Sequence, residues 1–194
     1  MRSEETKQPH LILASRSPRR AELLARMGLQ FVIDAADVPE DDAIGTPEEQ
    51  VCMLARRKAE AVAHRHPNAW VLGADTLVYC DRVLGKPSGT EEAVAMLSHL
   101  SNRWHSVHSG ICLMDTNTGR TSLRHVMTRV HFLPLSGADI LDYVADGESL
   151  DKAGAYGVQG RAGMFIDRIE GCHNNVMGLP IAQLRLLMLE MGWR

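Results

Sequence analysis

The stretch Leu11-Ile-Leu-Ala-Ser15-Arg-Ser17-Pro18-Arg19-Arg20-Ala-Glu22-Leu-Leu24 carries an apolar strand through a Ser-Arg-Ser-Pro turn into a helix that opens with two arginines. At such a junction the unpaired amides of the first helical turn and the positive end of the helix dipole face outward, where an anion can accept from them. Ser15 and Ser17 add hydroxyl donors. Pro18 suits the first helical position, because its fixed φ matches a helix and its missing N–H is not needed there. Arg19 and Arg20 supply planar, permanently charged forks that match phosphate oxygens. The same residues also fit a plain N-cap followed by two solvated charges, and the run alone leaves both readings standing.

Outward from this run, 194 residues with 45% hydrophobic content can bury a real core and are most simply one domain, with two lobes around a cleft as a variant. We read residues 1–8 as a polar tail and 9–194 as the domain. A formal net charge of -3 and 5% aromatic content argue against a protein that wraps or stacks on nucleic acid, so any polyanion site must be local. Cys52, Cys80, Cys112 and Cys172 are scattered without a CxxC pair, which points away from a zinc ribbon or dithiol centre and toward reduced thiols. No run has the length of a membrane span, the first residues lack the apolar stretch of a secretory signal, and the cytoplasm is the expected compartment.

Further along, the spacing predicts a strand near Phe31 to Ile33, an acidic loop from Asp37 to Asp42, and a helix from a Thr46-Pro-Glu-Glu49 capping box toward His66. The apolar row of that helix is Val51, Leu54, Ala55, Ala59 and Val62. Lys58 falls within the row, whereas Arg56, Arg57 and Glu60 diverge from it. An inward lysine asks for an anion or else snorkels along apolar surface. Trp70 to Cys80 reads as a strand interrupted by one carboxylate, Asp75, which is costly to bury unpaired. Metal coordination, a salt bridge, catalysis and the capping of a turn would each justify it. A turn at Asp81-Arg82 leads to Leu84-Gly85-Lys86-Pro87. A helix follows at Thr90 to Leu100, then a hairpin of Trp104 to Met114 and Arg120 to Leu133, and a helix from Ser136 to Asp146. Asp151 to Gly163 is glycine-rich, as in a loop that lets backbone approach a ligand. Met164 to Ile169 reads as a short strand, and an amphipathic helix runs through Leu184, Leu187, Met188 and Met191. Interleaved strands and helices with inserted hairpins predict an α/β layered domain with a mixed sheet. The histidine spacings match no zinc site.

In order, LILASRSPRRAELL (11–24), ARRKA (55–59), GADTLV (73–78), GKP (85–87), DKAGAYGVQGRAG (151–163) and NNVMGLP (174–180) resemble the Maf family of nucleoside triphosphate pyrophosphatases over nearly the whole chain. The resemblance implies a mixed central sheet flanked by helices, with two lobes around a cleft, as in inosine triphosphate pyrophosphatases. It further implies hydrolysis of a nucleoside triphosphate to the monophosphate and pyrophosphate with a divalent cation, Mg²⁺ or Mn²⁺. The glycine-rich motif is similar to that of the branch acting on dTTP and UTP, which keeps pyrimidine nucleotides, modified ones included, out of nucleic acids. The branch acting on 7-methyl-GTP, and a nucleotide-binding regulator of cell division, are the alternatives. Carried over by position, Asp75 is the implied base, and Arg19, Thr76 and Gln159 are the implied specificity residues. Ser15, Arg19, Arg20, Lys58 and Lys86 form the implied anion-binding set. Glu40, with Asp75, is the implied metal ligand, although Pro39, Asp41 and Asp42 around it depart from the usual acidic pair. Arg57 stands where an acidic residue is common, and Arg161 reads either as a fifth phosphate ligand or, the preferred reading, as solvent-facing. A homodimer is compatible with the resemblance, and the apolar last helix could serve either the core or an interface.

Overall fold

Seven strands build one mixed sheet in the computed structural model, which describes residues 10–35, 37–40 and 42–193. The expected polar tail, residues 1–8, lies outside the described residues. The strands are β1 (Leu11–Leu13), β2 (Phe31–Ile33), β3 (Trp70–Cys80), β4 (Arg82–Leu84), β5 (Trp104–Asp115), β6 (Thr121–Phe132) and β7 (Ile166–Glu170). Their order is β2-β1-β3-β5-β6-β7, with β4 folded back on β3. β1 runs parallel to both β2 and β3, and the other pairings are antiparallel. The helices are α1 (Pro18–Arg26), α2 (Pro47–Ala63), α3 (Thr90–Leu100), α4 (Gly137–Ala145), the single turn α5 (His173–Val176) and α6 (Ile181–Met191).

The long strands β3 and β5 tie two apolar clusters together. Leu72, Ala74, Ile111 and Leu113 pack with α1 and α6, whereas Val78, Cys80 and Val107 pack with α3 and α4. Between these clusters lies the middle of β3, where Asp75 and Thr76 sit. The apolar row of α6 is core: Leu184, Leu187, Met188 and Met191 are all buried. On the opposite face α2 lies directly on backbone, because Gly73 of β3 and Gly110 of β5 present no side chain there. A Cβ on Gly73 would overlap the Ala55 carbonyl oxygen, and one on Gly110 would overlap that of Val51. Ala55 and Ala59 complete the close contact, both buried.

The capping box at Thr46 is present, with the Glu49 amide donating to the Thr46 hydroxyl and the Glu49 carboxylate accepting from the Thr46 amide. Two element boundaries and one short strand differ most from expectation. α2 ends at Ala63, three residues before His66, because the residue before Pro67 is disfavoured in a helix and Arg65 and His66 turn instead onto Asp34. The strand expected at Met164 starts at Ile166, since Arg161–Phe165 winds into a 3₁₀ turn that buries Phe165. β4 went unread because three residues after a tight turn carry too little pattern. Among the described residues no helix is long and apolar enough to cross a membrane.

Replacing Gly73 by Ala should lower stability by about 1–3 kcal/mol in denaturant titration, since backbone rather than a flexible side chain blocks the new methyl. Gly137→Ala, with open space around it in the first turn of α4, should stay within about 0.5 kcal/mol. Hydrogen bonds from Arg65 and His66 hold the Asp34 carboxyl below its ordinary 3.8, at about 2. A depressed folded-state value adds stability above the ordinary value and loses it as pH falls toward 2. Acid titration of Asp34→Asn should therefore lack the part of the stability loss that the parent shows between about pH 4 and about pH 2.

Candidate active site

The close seating of α2 on Gly73 and Gly110 carries Lys58, on the inner face of that helix, over Asp75, two residues beyond Gly73 on the same face of β3. Both side chains are 11% exposed, and Lys58 Nζ donates to Asp75 Oδ1 at 2.6 Å. The same ammonium reaches Glu40 Oε1 at 2.7 Å. Burial pushes the Glu40 carboxyl up, but Lys58, followed by the charges of Lys86 and Arg20, holds it below its ordinary value. The acidic loop is thus sorted: Glu40 faces inward, while Asp42 pairs with Arg57 at 2.5 Å on the outer side. Asp41 lies outside the described residues.

Arg20 is the second cation of the site, half-buried, and every described hydrogen-bond partner it has is neutral. Its Nε donates to the Gly178 carbonyl at 3.0 Å, Nη1 to Ser15 Oγ at 2.9 Å and Nη2 to Thr76 Oγ1 at 3.3 Å. Burial pulls the guanidinium below its ordinary value, and the nearby Asp75 charge only partly offsets this. A partly desolvated charge held only by neutral hydrogen-bond partners favours an anion. Thr76 Oγ1 also lies 2.8 Å from the fully buried Ser109 Oγ and donates to the Gly178 carbonyl at 3.3 Å.

Across the opening, Arg19 Nη1 meets Asp151 Oδ2 at 2.9 Å, joining α1 to the glycine-rich loop. Lys152 Nζ holds the other Asp151 oxygen at 2.6 Å and the Glu148 carbonyl at 2.6 Å. Burial raises the Asp151 carboxyl, but these two cations keep it below its ordinary value. Arg19 therefore has a protein partner that the sequence reading did not give it.

These groups line a cavity of about 450 Å³, and a second of about 250 Å³ shares Ser17, Arg19, Arg20, Glu40, Lys58, Lys86 and Asp151 with it. Asp75, Thr76 and Gln159 line the larger one and Ser15 the smaller. Thus every site residue named from sequence reaches one continuous cleft. Three of the chain's four lysines, Lys58, Lys86 and Lys152, line it. With Arg19 and Arg20 they face the carboxylates of Glu40, Asp75 and Asp151, a local positive excess in a chain of net charge -3. No acidic residue stands in the first turn of α1, and Ser17 caps it without a side-chain bond, so its dipole adds to that excess.

Sequence reasoning missed Asp151, Ser109 and the Gly178 carbonyl. The first and last lie in quoted motifs, GRAG's neighbour DKAG and NNVMGLP, which pointed to them without a role. Ser109 sits among histidines and serines in the first half of β5, a run that gave no signal for it. Arg161 pairs with Asp142 and Asp146, as a solvent-facing residue should. No histidine lines the cleft: His105 is buried against Tyr156 OH at 2.7 Å, and His108 stacks on His125. Cys80, Asp81 and His99 form the one group of three metal-type ligands among the described residues. The Arg103 guanidinium pairs with Asp81 and lies 3.3 Å from the His99 ring nitrogens.

The chain matches the Maf-like protein family over residues 10–191. It is 47% identical over 185 residues to a dTTP/UTP pyrophosphatase of Geobacillus sp. strain WCH70, covering 94% of this chain and 98% of that protein. It is 48% identical over 185 residues to a dTTP/UTP pyrophosphatase of Pelotomaculum thermopropionicum, covering 94% and 97%. Among solved structures the Staphylococcus aureus Ham1 protein, 17% identical, aligns over 94% of this chain and 99% of that one with a TM-score of 0.50, a likeness of fold alone. With nearly its whole length matched and the six motifs gathered around one cationic cleft, this chain belongs to the Maf-like protein family.

Proposed function

We propose that this protein is a nucleoside triphosphate pyrophosphatase that hydrolyses dTTP and UTP between the α and β phosphates, giving the monophosphate and pyrophosphate. The carrying observation is the placement of Asp75 on the floor of a cleft whose walls bring Arg19, Arg20, Lys58 and Lys86 together. The names of the two relatives support the substrate class. A bound triphosphate carries about four negative charges, which these cations and the α1 N-terminus balance in a partly dry site. Arg20 gains most, since an anion supplies the counter-charge its neutral partners lack.

In this reading Asp75 accepts a proton from a water whose oxygen bonds to the α-phosphorus. The α–β bridging bond breaks, and its electron pair leaves on pyrophosphate. Before substrate and metal enter, Lys58 holds the Asp75 carboxylate on the floor of the cleft. Glu40 and Asp75 offer hard oxygen donors that already share one cation, the Lys58 ammonium, and so fit a divalent ion such as Mg²⁺ or Mn²⁺. Such an ion supplies polarisation of phosphoryl oxygens and neutralisation of the leaving group. Gln159, exposed on the glycine-rich loop, has an amide able to donate and accept at once, matching the O4 and N3–H edge of uracil or thymine. Arg19 and Thr76 face the same cavity and are assigned with it to specificity. The four cysteines are free, which suits a cytoplasmic setting.

Pyrophosphate release from dTTP, UTP, CTP and 7-methyl-GTP with Mg²⁺ or Mn²⁺ tests this directly. Turnover of the first two is expected to lead, whereas affinity without product would leave the chain a nucleotide-binding protein. Asp75→Asn should lower kcat about 10²–10⁴-fold at an unchanged fold by circular dichroism. Activity within tenfold of the parent would remove Asp75 as the base. Gln159→Ala should cost about 10–100-fold in kcat/KM for UTP and dTTP while changing CTP less.

A further inference from the structure

Lys58 is placed where a metal ion would have to go. Its Nζ touches the Glu40 and Asp75 oxygens at 2.7 and 2.6 Å, and these are the two carboxylates assigned above to a divalent cation. Two anions converging on one point repel unless a positive charge stands between them, and here the ammonium does so. The same side chain lines both cavities of the cleft, so on leaving the carboxylates it stays within the space assigned to the phosphates.

Resting on the proposed reaction, we infer that Lys58 is a placeholder for the divalent cation: it holds Glu40 and Asp75 together without metal, competes with metal for them, and is released to the triphosphate when metal binds. The exchange makes metal and nucleotide binding mutually reinforcing. Metal displaces the ammonium from its carboxylates, and phosphate gives the displaced ammonium a new partner. Each ligand therefore lowers the cost of admitting the other, and by linkage the effect is reciprocal. Lys86 and Lys152 have no such role: Lys152 is held by Asp151 and the Glu148 carbonyl, and Lys86 is exposed.

The test uses Mn²⁺ alone, without nucleotide, on the full chain. Lys58→Met removes the competing charge while keeping an apolar stem of similar length. It should bind Mn²⁺ about tenfold more tightly than the parent by calorimetry or by the free-ion electron paramagnetic signal. Without metal the variant should melt below the parent, and Mn²⁺ should raise its Tm more than it raises the parent's. Adding Glu40→Gln to Lys58→Met should erase the gain, locating it at these carboxylates. Equal or weaker Mn²⁺ binding by Lys58→Met overturns the inference.

Should that variant not fold, the parent itself decides. With only four lysines, the Nζ resonances of ¹⁵N-lysine protein are assignable through Lys7→Arg, Lys86→Arg and Lys152→Arg. Mg²⁺ should shift the Lys58 signal and leave that of Lys152 in place, and a Lys58 signal unmoved at saturating Mg²⁺ defeats the idea. Pyrophosphate release by the parent is scored separately. An active parent with unchanged Lys58 behaviour refutes the exchange alone, whereas an inactive parent refutes the proposed reaction.

Discussion

The contact between helix α2 and the bare backbone at Gly73 and Gly110 sets the geometry of this molecule. Helices usually stand off a sheet by the thickness of two side-chain layers. Here glycine on the sheet and Ala55 and Ala59 on the helix remove most of that thickness. The consequence is chemical as well as structural, because Lys58 shares the inner face of the helix and Asp75 shares the face of the strand. Brought this close, a lysine and an aspartate that would each be costly to bury alone satisfy one another at 2.6 Å.

Around that pair the cleft is assembled from segments far apart in the chain. β3 supplies the floor because its two ends are committed to different apolar clusters, leaving the middle of the strand between the lobes. α1 delivers Arg19 and Arg20 to one side, and the loops at Asp151 and Gly178 close the other. Arg20 is held by carbonyl and hydroxyl oxygens, which fix its direction without cancelling its charge. Arg19 is held by a carboxylate across the opening. The two adjacent arginines thus differ: one keeps an unspent charge facing inward, and the other links the walls.

Much of the fold was legible where local signals agree. The Thr46 capping box, the Pro18 helix start, the Thr90–Leu100 helix and the β5–β6 hairpin all stand where composition and spacing placed them. Boundaries failed where tertiary partners compete with local pattern. Asp34 draws Arg65 and His66 out of the helix, and the burial of Phe165 in the second cluster delays β7 to Ile166. The site residues were legible as chemistry, since a lone acid in an apolar strand and a lysine in an apolar helical row both demand an explanation. Ser109 was not, because a serine in a strand demands none until its neighbour across the pair is known to be Thr76.

The sequence by itself determined which groups are available and on which local element each stands: a helix start ready for an anion, a carboxylate within β3, a lysine on the inner row of α2, and the ordered motifs of the family. Only the tertiary structure decided their partners. That Lys58 bridges Asp75 and Glu40, that Arg19 faces Asp151 while Arg20 faces neutral oxygens, and that Asp42 turns away to Arg57 are matters of distance between segments up to 158 residues apart. Periodicity fixes the face a side chain occupies, but charge pairing depends on separation in space, and that is set by how closely the layers pack.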